Sequence, residues 1–397
     1  MPENRAAYLM GEKVRPLAVK PAPYTSPRPK PAPRPRRGRR RQPHRVHQAG
    51  PGRPPVRLGQ VPARPGLRRR RHRRRSRLRI FWRGGAAAGS TSTSSSSKRF
   101  RPGDRVVGQA LGSEKKFNDP AMGAFQHYVL LQANMVSPIP DALSFERAAV
   151  LPLALSTASC GLFQKDQLAL RHPVVATDEE GGEEQKKKAG KETLLIWGGS
   201  TSVGCNAIQL ARAAGYEIVT TCSPRNFGLV KSLGAAAAFD YRDPAAAVAE
   251  IVQFCQGKTV VGALSMGSDA GRGCVEVLRQ LPKNGSRRFL SRVSYATPED
   301  KDAGLPARIW CMLSFSVWLW VQSVRHGIES NVVVGTTLEG NEVGKAIYED
   351  FLPRALATGR FVAAPEPEVV GKGLEFVQTT LDKLRRGVSA KKLVVEI

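Results

Sequence analysis

From residue 194 onward the hydrophobic positions follow two periods in turn. Short apolar runs have the length and composition of buried strands: LLIW (194–197), YEIVTTC (216–222), AAAFDY (236–241), VVGALSMG (260–267) and FLSRVSYA (289–296). Between them lie stretches of helical period: VGCNAIQLARAAG (203–215), NFGLVKSLGA (226–235), PAAAVAEIVQFCQG (244–257) and GCVEVLRQL (273–281). In the first of these, Val203, Ala207, Leu210, Ala211 and Ala214 fall on one face. Gly234 closes the second. Strands alternating with helices of this length predict βαβ units and an α/β fold with a parallel, doubly wound sheet. The C-terminal part, NVVVGTTL, EVGKAIYEDFLPRALATGRF and LEFVQTTLDKLRRGVSAKKLVVEI, predicts a strand, two helices and a terminal strand.

Ahead of this region the pattern is weaker. PLAVKPAPYT predicts one strand near the start, and RFRPGDRVVGQALG a turn and a strand. GAFQHYVLLQANMVSPIP predicts strands broken by turn prolines, and LSFERAAVLPLALSTASCGLF a helix rich in small residues. Residues 173–192 are charged and poor in apolar side chains, which predicts a solvated surface insertion. The most apolar run, IWCMLSFSVWLWV (309–321), predicts a buried or interface helix. It falls short of the ~20 residues that a membrane crossing needs. The first residues, MPENRAAYLMGEKV, carry early acids and no apolar core, unlike a secretory signal.

Length and charge alter this picture in one place. The 397 residues leave room for two globular units. The formal charge of +29 suggests a nucleic-acid partner, but it is unevenly spread. Residues 1–100 contain 28 Lys and Arg against two acids, and the rest of the chain is close to neutral. Residues 28–83 alone hold 22 basic residues, one of them lysine, and no acid. A basic field confined to one low-complexity segment says nothing about the partner of the folded part, and nucleic acid is not expected there. Residues 86–97, AAAGSTSTSSSS, have the composition of a flexible linker.

The six cysteines, at 160, 205, 222, 255, 274 and 311, form no C-x-x-C pair and lie near no histidine at ligand spacing. That argues against a structural zinc and against a secreted disulfide framework. Scattered single thiols fit a reducing compartment, and a cytoplasmic location is expected.

The segment LLIWGGSTSVGCNAIQLARAAG (194–215) carries the chemistry. A buried strand runs into a turn of small residues and then a helix. Such a corner lets backbone amides and the helix dipole meet a pyrophosphate. Gly198 and Gly199 permit the tight turn. Ser200, Thr201 and Ser202 offer hydroxyls and amides. Gly204 allows the helix to pack closely on the strand. A glycine-rich turn alone is weak evidence, but its place at the first of several βα units favours a dinucleotide over a plain structural corner. The second strand ends in TTCSPRN, with no acid to hold a ribose 2′-hydroxyl. Ser223 and Arg225 lie there instead, and the planar guanidinium fork of arginine suits a 2′-phosphate. The cofactor read from this pattern is NADPH.

Taken together, AFQHYVLLQANMVSPIPDALSFERAAVLPLALSTASCGLF, WGGSTSVGCNAIQLARAAG, TTCSPRNFGLVKSLGAA and FDY resemble the zinc-independent medium-chain dehydrogenase/reductases. The similarity is to the fungal enoyl-reductase-like and quinone-oxidoreductase-like branch, which includes trans-acting enoyl reductases that partner polyketide synthases. It covers residues 1–27 and about 98–397. The resemblance implies a GroES-like β-rich catalytic domain split around a Rossmann domain. Residues 1–27 would begin the catalytic domain, 98–155 continue it, 156–325 form the Rossmann domain with an insertion at 172–192, and 326–397 return to the catalytic domain. It also implies that Ser200, Thr201, Ser202 and Val203 serve the phosphates, that Ser223, Arg225 and Asn226 surround the 2′-phosphate, and that Tyr241 lies near the adenine side. Thr157, Val388 and Ser389 are further assignments to the same site. The implied reaction is hydride transfer to the β-carbon of an α,β-unsaturated carbonyl, on a small-molecule or carrier-bound enoyl substrate, or to a quinone. No residue announces itself as proton donor, since a lone His127 or Tyr128 is more often structural. Thr201 departs from a glycine common in the wider family, and the usual zinc ligands are absent.

The resemblance also implies strands and a Trp-containing segment within 28–97, where the chain has arginines. HQAGPG (47–52), back-translated as CAT CAA GCA GGA CCT GGG, reads IKQDLG after a one-base slide. VRLGQVPARPGL (56–67) can be slid in the same way to FAWVKYPLVLG. The expectation is therefore a frame-shifted or mis-spliced, disordered segment. Two alternatives stay open: an NADPH-binding protein without turnover because its catalytic domain is damaged, and a basic-tailed protein that binds nucleic acid, for which affinity would fall steeply with salt.

Overall fold

In the computed structural model, residues 3–8, 16–24, 78–81, 99–175, 192–267, 269–282, 287–298 and 303–397 are described. The chain divides into one unit of 1–27 with 77–397 and another of 28–76; the second lies outside the described residues. The expectations of a frame shift and disorder in 28–97 and of a linker at 86–97 lie outside them too, except for one short strand. So does most of the insertion at 172–192.

The first half supplies short paired strands. β1 (Asn4–Tyr8) runs antiparallel to β2 (Ala18–Ala22). β3 (Leu78–Phe81), β4 (Val106–Gly108), β5 (Tyr128–Leu131) and β6 (Val136–Pro138) follow, with β3 antiparallel to β5 and β4 to β6. The pattern misses β1 because its inward positions, Asn4 and Ala6, are polar or small. The helical stretch at 143–163 divides into α1 (Phe145–Ala148) and α2 (Pro152–Phe163). Pro152 sits in the first turn of α2, where its missing N–H costs nothing.

The βαβ region runs β7 (Glu192–Trp197), α3 (Ser202–Ala213), β8 (Glu217–Thr221), α4 (Phe227–Ser232), β9 (Ala237–Phe239), α5 (Pro244–Phe254), β10 (Thr259–Ser265), α6 (Ala270–Gln280), β11 (Phe289–Arg292), α7 (Leu305–His326) and β12 (Glu329–Val332). The strands form one sheet in the order β12-β11-β10-β7-β8-β9, and every pairing is parallel. The strand order proceeds outward in opposite directions from β7 and β10, which marks the switch point at which such sheets bind ligands. Alternation along β7 serves both faces. Leu194 and Ile196 enter one core with Ile208, Leu210 and Ile218, while Leu195 and Trp197 enter the other with Val219, Val275 and Leu278. Burial on both sides explains the unbroken apolar run.

After β12 come α8 (Glu342–Lys345), a π-turn (Ala346–Phe351), α9 (Leu352–Ala357), β13 (Glu366–Lys372), α10 (Phe376–Arg386) and β14 (Lys391–Glu396). β13 pairs in parallel with β14 and is invisible to the sequence pattern. Its EPEVVGK carries three charges, so no apolar run marks it.

Three extents are corrected. The strand expected at 289–296 ends at Arg292. The one expected at 331–338 occupies 329–332, before a 3-10 turn at Thr337–Gly340. The strand expected at 236–241 shrinks to three residues. The apolar run 309–321 lies within α7 but is not buried as a helix: only Phe315 and Leu319 are. Among the described residues no helix is long and apolar enough to cross a membrane.

Candidate functional site

A cleft of about 1570 Å³ opens at the carboxyl ends of β7, β8 and β10. Its walls come from the βα turns, from the stretch 387–397 that holds β14, and from the strands β4 and β5. Gly198, Ser200, Thr201, Ser202, Ser223, Arg225, Asn226, Tyr241, Val388 and Ser389 all line it. Residues from three separate turns and the C-terminus are thereby brought together.

Gly199, Val203, Gly204 and Thr157 do not line the cleft. Gly199 and Gly204 work beneath it. A Cβ on Gly199 would lie 2.2 Å from Thr220 Oγ1, and one on Gly204 would lie 2.4 Å from the Gly198 carbonyl oxygen. Gly198 has φ +100°, a conformation that side chains resist. Thr157 donates its hydroxyl to the Leu153 carbonyl within its own helix, at 2.8 Å.

The hydrogen bonds of the turn sort its polar groups. The Gly198 and Gly199 amides both donate to the Thr221 carbonyl, at 3.2 and 2.8 Å. Thr201 caps α3: its Oγ1 accepts from the Gly204 amide at 3.0 Å and donates to the Gly198 carbonyl at 2.8 Å. The departure from glycine is thus a helix N-cap, its hydroxyl engaged with the turn itself. The Ser200, Ser202 and Val203 amides make no backbone bond among the described residues, at the positive end of a 12-residue helix.

At the end of β8, Ser223 and Tyr241 face each other with hydroxyls 3.5 Å apart. Asn226 Nδ2 stands 3.5 Å from Ser389 Oγ. Arg225 is exposed and has no ion pair among the described residues. Neighbouring cations are engaged: Arg242 pairs with Asp240 at 2.5 Å, and Lys391 with Glu368 at 3.8 Å. Lys392 is a cleft residue that sequence reasoning missed. It lines the wall and is half-buried without an acid partner among the described residues, and burial holds its ammonium below the ordinary lysine value. Only the strand register of β14 reveals it, because that register separates it from Lys391. Cys222 also lines the cleft, but burial pushes its thiol up to about 11, so it stays protonated and unreactive near neutrality.

The cleft also has apolar lining, from Val106, Phe125, Val129, Leu131 and Leu153. Gln126 is there but fully engaged, with Pro120, Gly123 and Asn4. Gln109 is 3% exposed, and its Oε1 has no hydrogen-bond partner among the described residues. His127 and Tyr128 stand outside; the Tyr128 ring packs edge-on to Tyr24. A polar cradle with free helix amides beside an apolar pocket fits a dinucleotide next to an apolar substrate.

Fold and site define a nicotinamide-cofactor oxidoreductase with a doubly wound sheet. No family model matches the chain. It is 43% identical over 302 residues to dehydrogenase pigH of Monascus ruber, covering 75% of this chain and 78% of that protein. It is 36% identical over 307 residues to trans-enoyl reductase himH of Aspergillus japonicus, covering 75% of each. Among solved structures, the CurK enoyl reductase superposes with a TM-score of 0.51 at 19% identity, over 75% of this chain and 73% of that one, a likeness of fold. The chain belongs to the medium-chain dehydrogenase/reductases, in the fungal branch of enoyl/quinone reductase type.

Proposed function

We propose that the chain is an NADPH-dependent, zinc-independent reductase acting on an α,β-unsaturated carbonyl, in the form of an enoyl thioester or enone, or on a quinone. The carrying observation is the charge at the end of β8, where the cleft presents Arg225 with Ser223 and Asn226 and the stretch TTCSPRN carries no acid. The amides of Ser200, just before α3, and of Ser202, at its first position, would hold the pyrophosphate, with Lys392 as a further cation of the cleft lining. Arg225, Ser223 and Asn226 would hold the 2′-phosphate, Tyr241 would flank the adenine side, and Val388 and Ser389 would close the edge. NADPH supplies the hydride when bound. The apolar pocket from Val106 to Leu153 would orient the acyl chain and exclude water from the reacting carbons. A carrier-bound thioester delivered by a polyketide synthase is part of this reading. The relative named trans-enoyl reductase supports the reduction of an enoyl group. The zinc-free reading rests on the donor set: among the described residues no three His, Cys, Asp or Glu side chains gather to hold a metal ion.

Replacing Arg225 with alanine should raise the NADPH dissociation constant tenfold or more, about 1.4 kcal/mol, and leave that of NADH unchanged. Titration of both cofactors by fluorescence checks this, and equal losses would overturn the choice of cofactor.

A further inference from the structure

Gln109 differs in kind from the wall around it. It directly follows β4, and its backbone N–H donates to the Met135 carbonyl at 3.2 Å, which ties it to the 3-10 turn at Ala133–Met135. β4 lies close against its neighbours. A Cβ on Gly108 would come within 2.8 Å of Leu131 Cδ1 and of the Met135 carbonyl oxygen, so the backbone that presents Gln109 is held firmly. The other residues of this stretch that line the cleft, Val106, Val107, Gly108 and Ala110, are apolar or small.

The Gln109 side chain is 3% exposed. Its Oε1 is sealed from solvent without a partner among the described residues, and its Nε2 donates to none of them. A buried amide without hydrogen bonds is a cost to the fold, and folded chains rarely carry one without a use. Here the amide lies on a cleft wall, where a ligand can reach it.

Elimination points the same way. Of the described residues before β7, three polar side chains line the cleft: Gln109, Gln126 and Glu146. Gln126 spends both amide hydrogens on the Pro120 and Gly123 carbonyls, and its oxygen accepts from Asn4. A hydrogen bond from Ser144 holds the Glu146 carboxyl below its ordinary value, so it stays ionised near neutrality and has no proton to donate. Gln109 alone keeps free donors there.

Every substrate of the reductase function proposed for this cleft presents a carbonyl oxygen, which accepts hydrogen bonds and donates none. Addition of the cofactor's hydride at the β-carbon sends an electron pair to that oxygen as an enolate. A solvent proton at the α-carbon completes the reduction as NADPH becomes NADP+. In a quinone the same charge settles on oxygen. A donor fixed in an apolar wall stabilises such charge more than water does. A half-turn of the amide exchanges its donor and acceptor ends, so Nε2 can face the cleft.

We propose that Gln109 holds the substrate carbonyl, its Nε2 donating to the carbonyl oxygen and to the enolate that develops there. The inference rests on the reductase reading and gives it its polarising group.

Binding to the full chain with NADP+, which permits no turnover, tests this. Crotonyl N-acetylcysteamine thioester and duroquinone serve as probes, each isotopically labelled at the carbonyl carbon. Infrared difference spectra should show the carbonyl stretch of the bound probe lowered in the wild type. In Gln109→Leu the stretch should return to its value for the free probe, and affinity should fall roughly tenfold. The melting temperature of that variant without ligand should not fall, because the amide it removes was unpaired. Gln109→Glu donates only when protonated, so its affinity for the probe should drop as pH rises through the carboxyl titration. An unmoved stretch in Gln109→Leu would overturn the proposal, as would a pH profile of Gln109→Glu identical to the wild type. A wild-type chain that binds NADP+ but neither probe would overturn the reductase reading itself, and this inference with it.

Discussion

Lys392 shows how much of the site rests on single side chains. Burial lowers its proton affinity, so the folded chain sheds that proton before the unfolded chain does. Below the folded value the lysine is charged in both states, and its desolvation is a full cost to stability. That cost fades as pH rises through the window up to the ordinary 10.5. A phosphate beside the ammonium favours the charged form and reverses the shift. NADPH affinity should therefore fall as pH rises through that window, and Lys392→Met should flatten the profile. A variant with the wild-type profile would remove Lys392 from the site. Ser223 and Arg225 are legible from the sequence because they follow a strand end within a few residues, and Asn226 enters through the family resemblance. Lys392 is not, since it reaches the same cleft from some 170 residues away and only folding joins them.

At the scale of elements, the βα turn divides into supports and ligand-facing groups. Thr201 is a support, its hydroxyl engaged at both ends within the turn. Thr201→Ala should lower stability by about 1 kcal/mol, seen as a drop in melting temperature, while the NADPH dissociation constant changes less than about threefold, a fraction of a kcal/mol. A large loss of affinity without a loss of stability would return Thr201 to the ligand-facing set. The same scale shows what periodicity could read. The buried strands β7, β8 and β10 and helix α3 carry strong period signals, and they stand where the pattern puts them. β1 and β13 do not, because an edge pairing of small or charged residues needs only backbone hydrogen bonds from its neighbour. α7 was legible as a helix, but not its exposure, which depends on what packs against it.

For the whole molecule the open matter is the first hundred residues. Sequencing the transcript across codons 25–100 is expected to show a one-base correction that restores IKQDLG and FAWVKYPLVLG. The corrected chain should oxidise NADPH on an enoyl thioester. A transcript that encodes the arginines would reduce the activity to dinucleotide binding. The sequence by itself determined the α/β class, the parallel sheet, the βα turn and the missing acid at the end of β8. All of these are local: a run of apolar residues, a cluster of small ones, the chemistry of adjacent positions. Tertiary structure decided which amides face the cleft, that Thr157 lies outside it, that the C-terminal strand forms its wall and that α7 leaves one apolar face uncovered. Each of those depends on contacts between residues distant along the chain, and a periodic pattern holds no information about its neighbour in space.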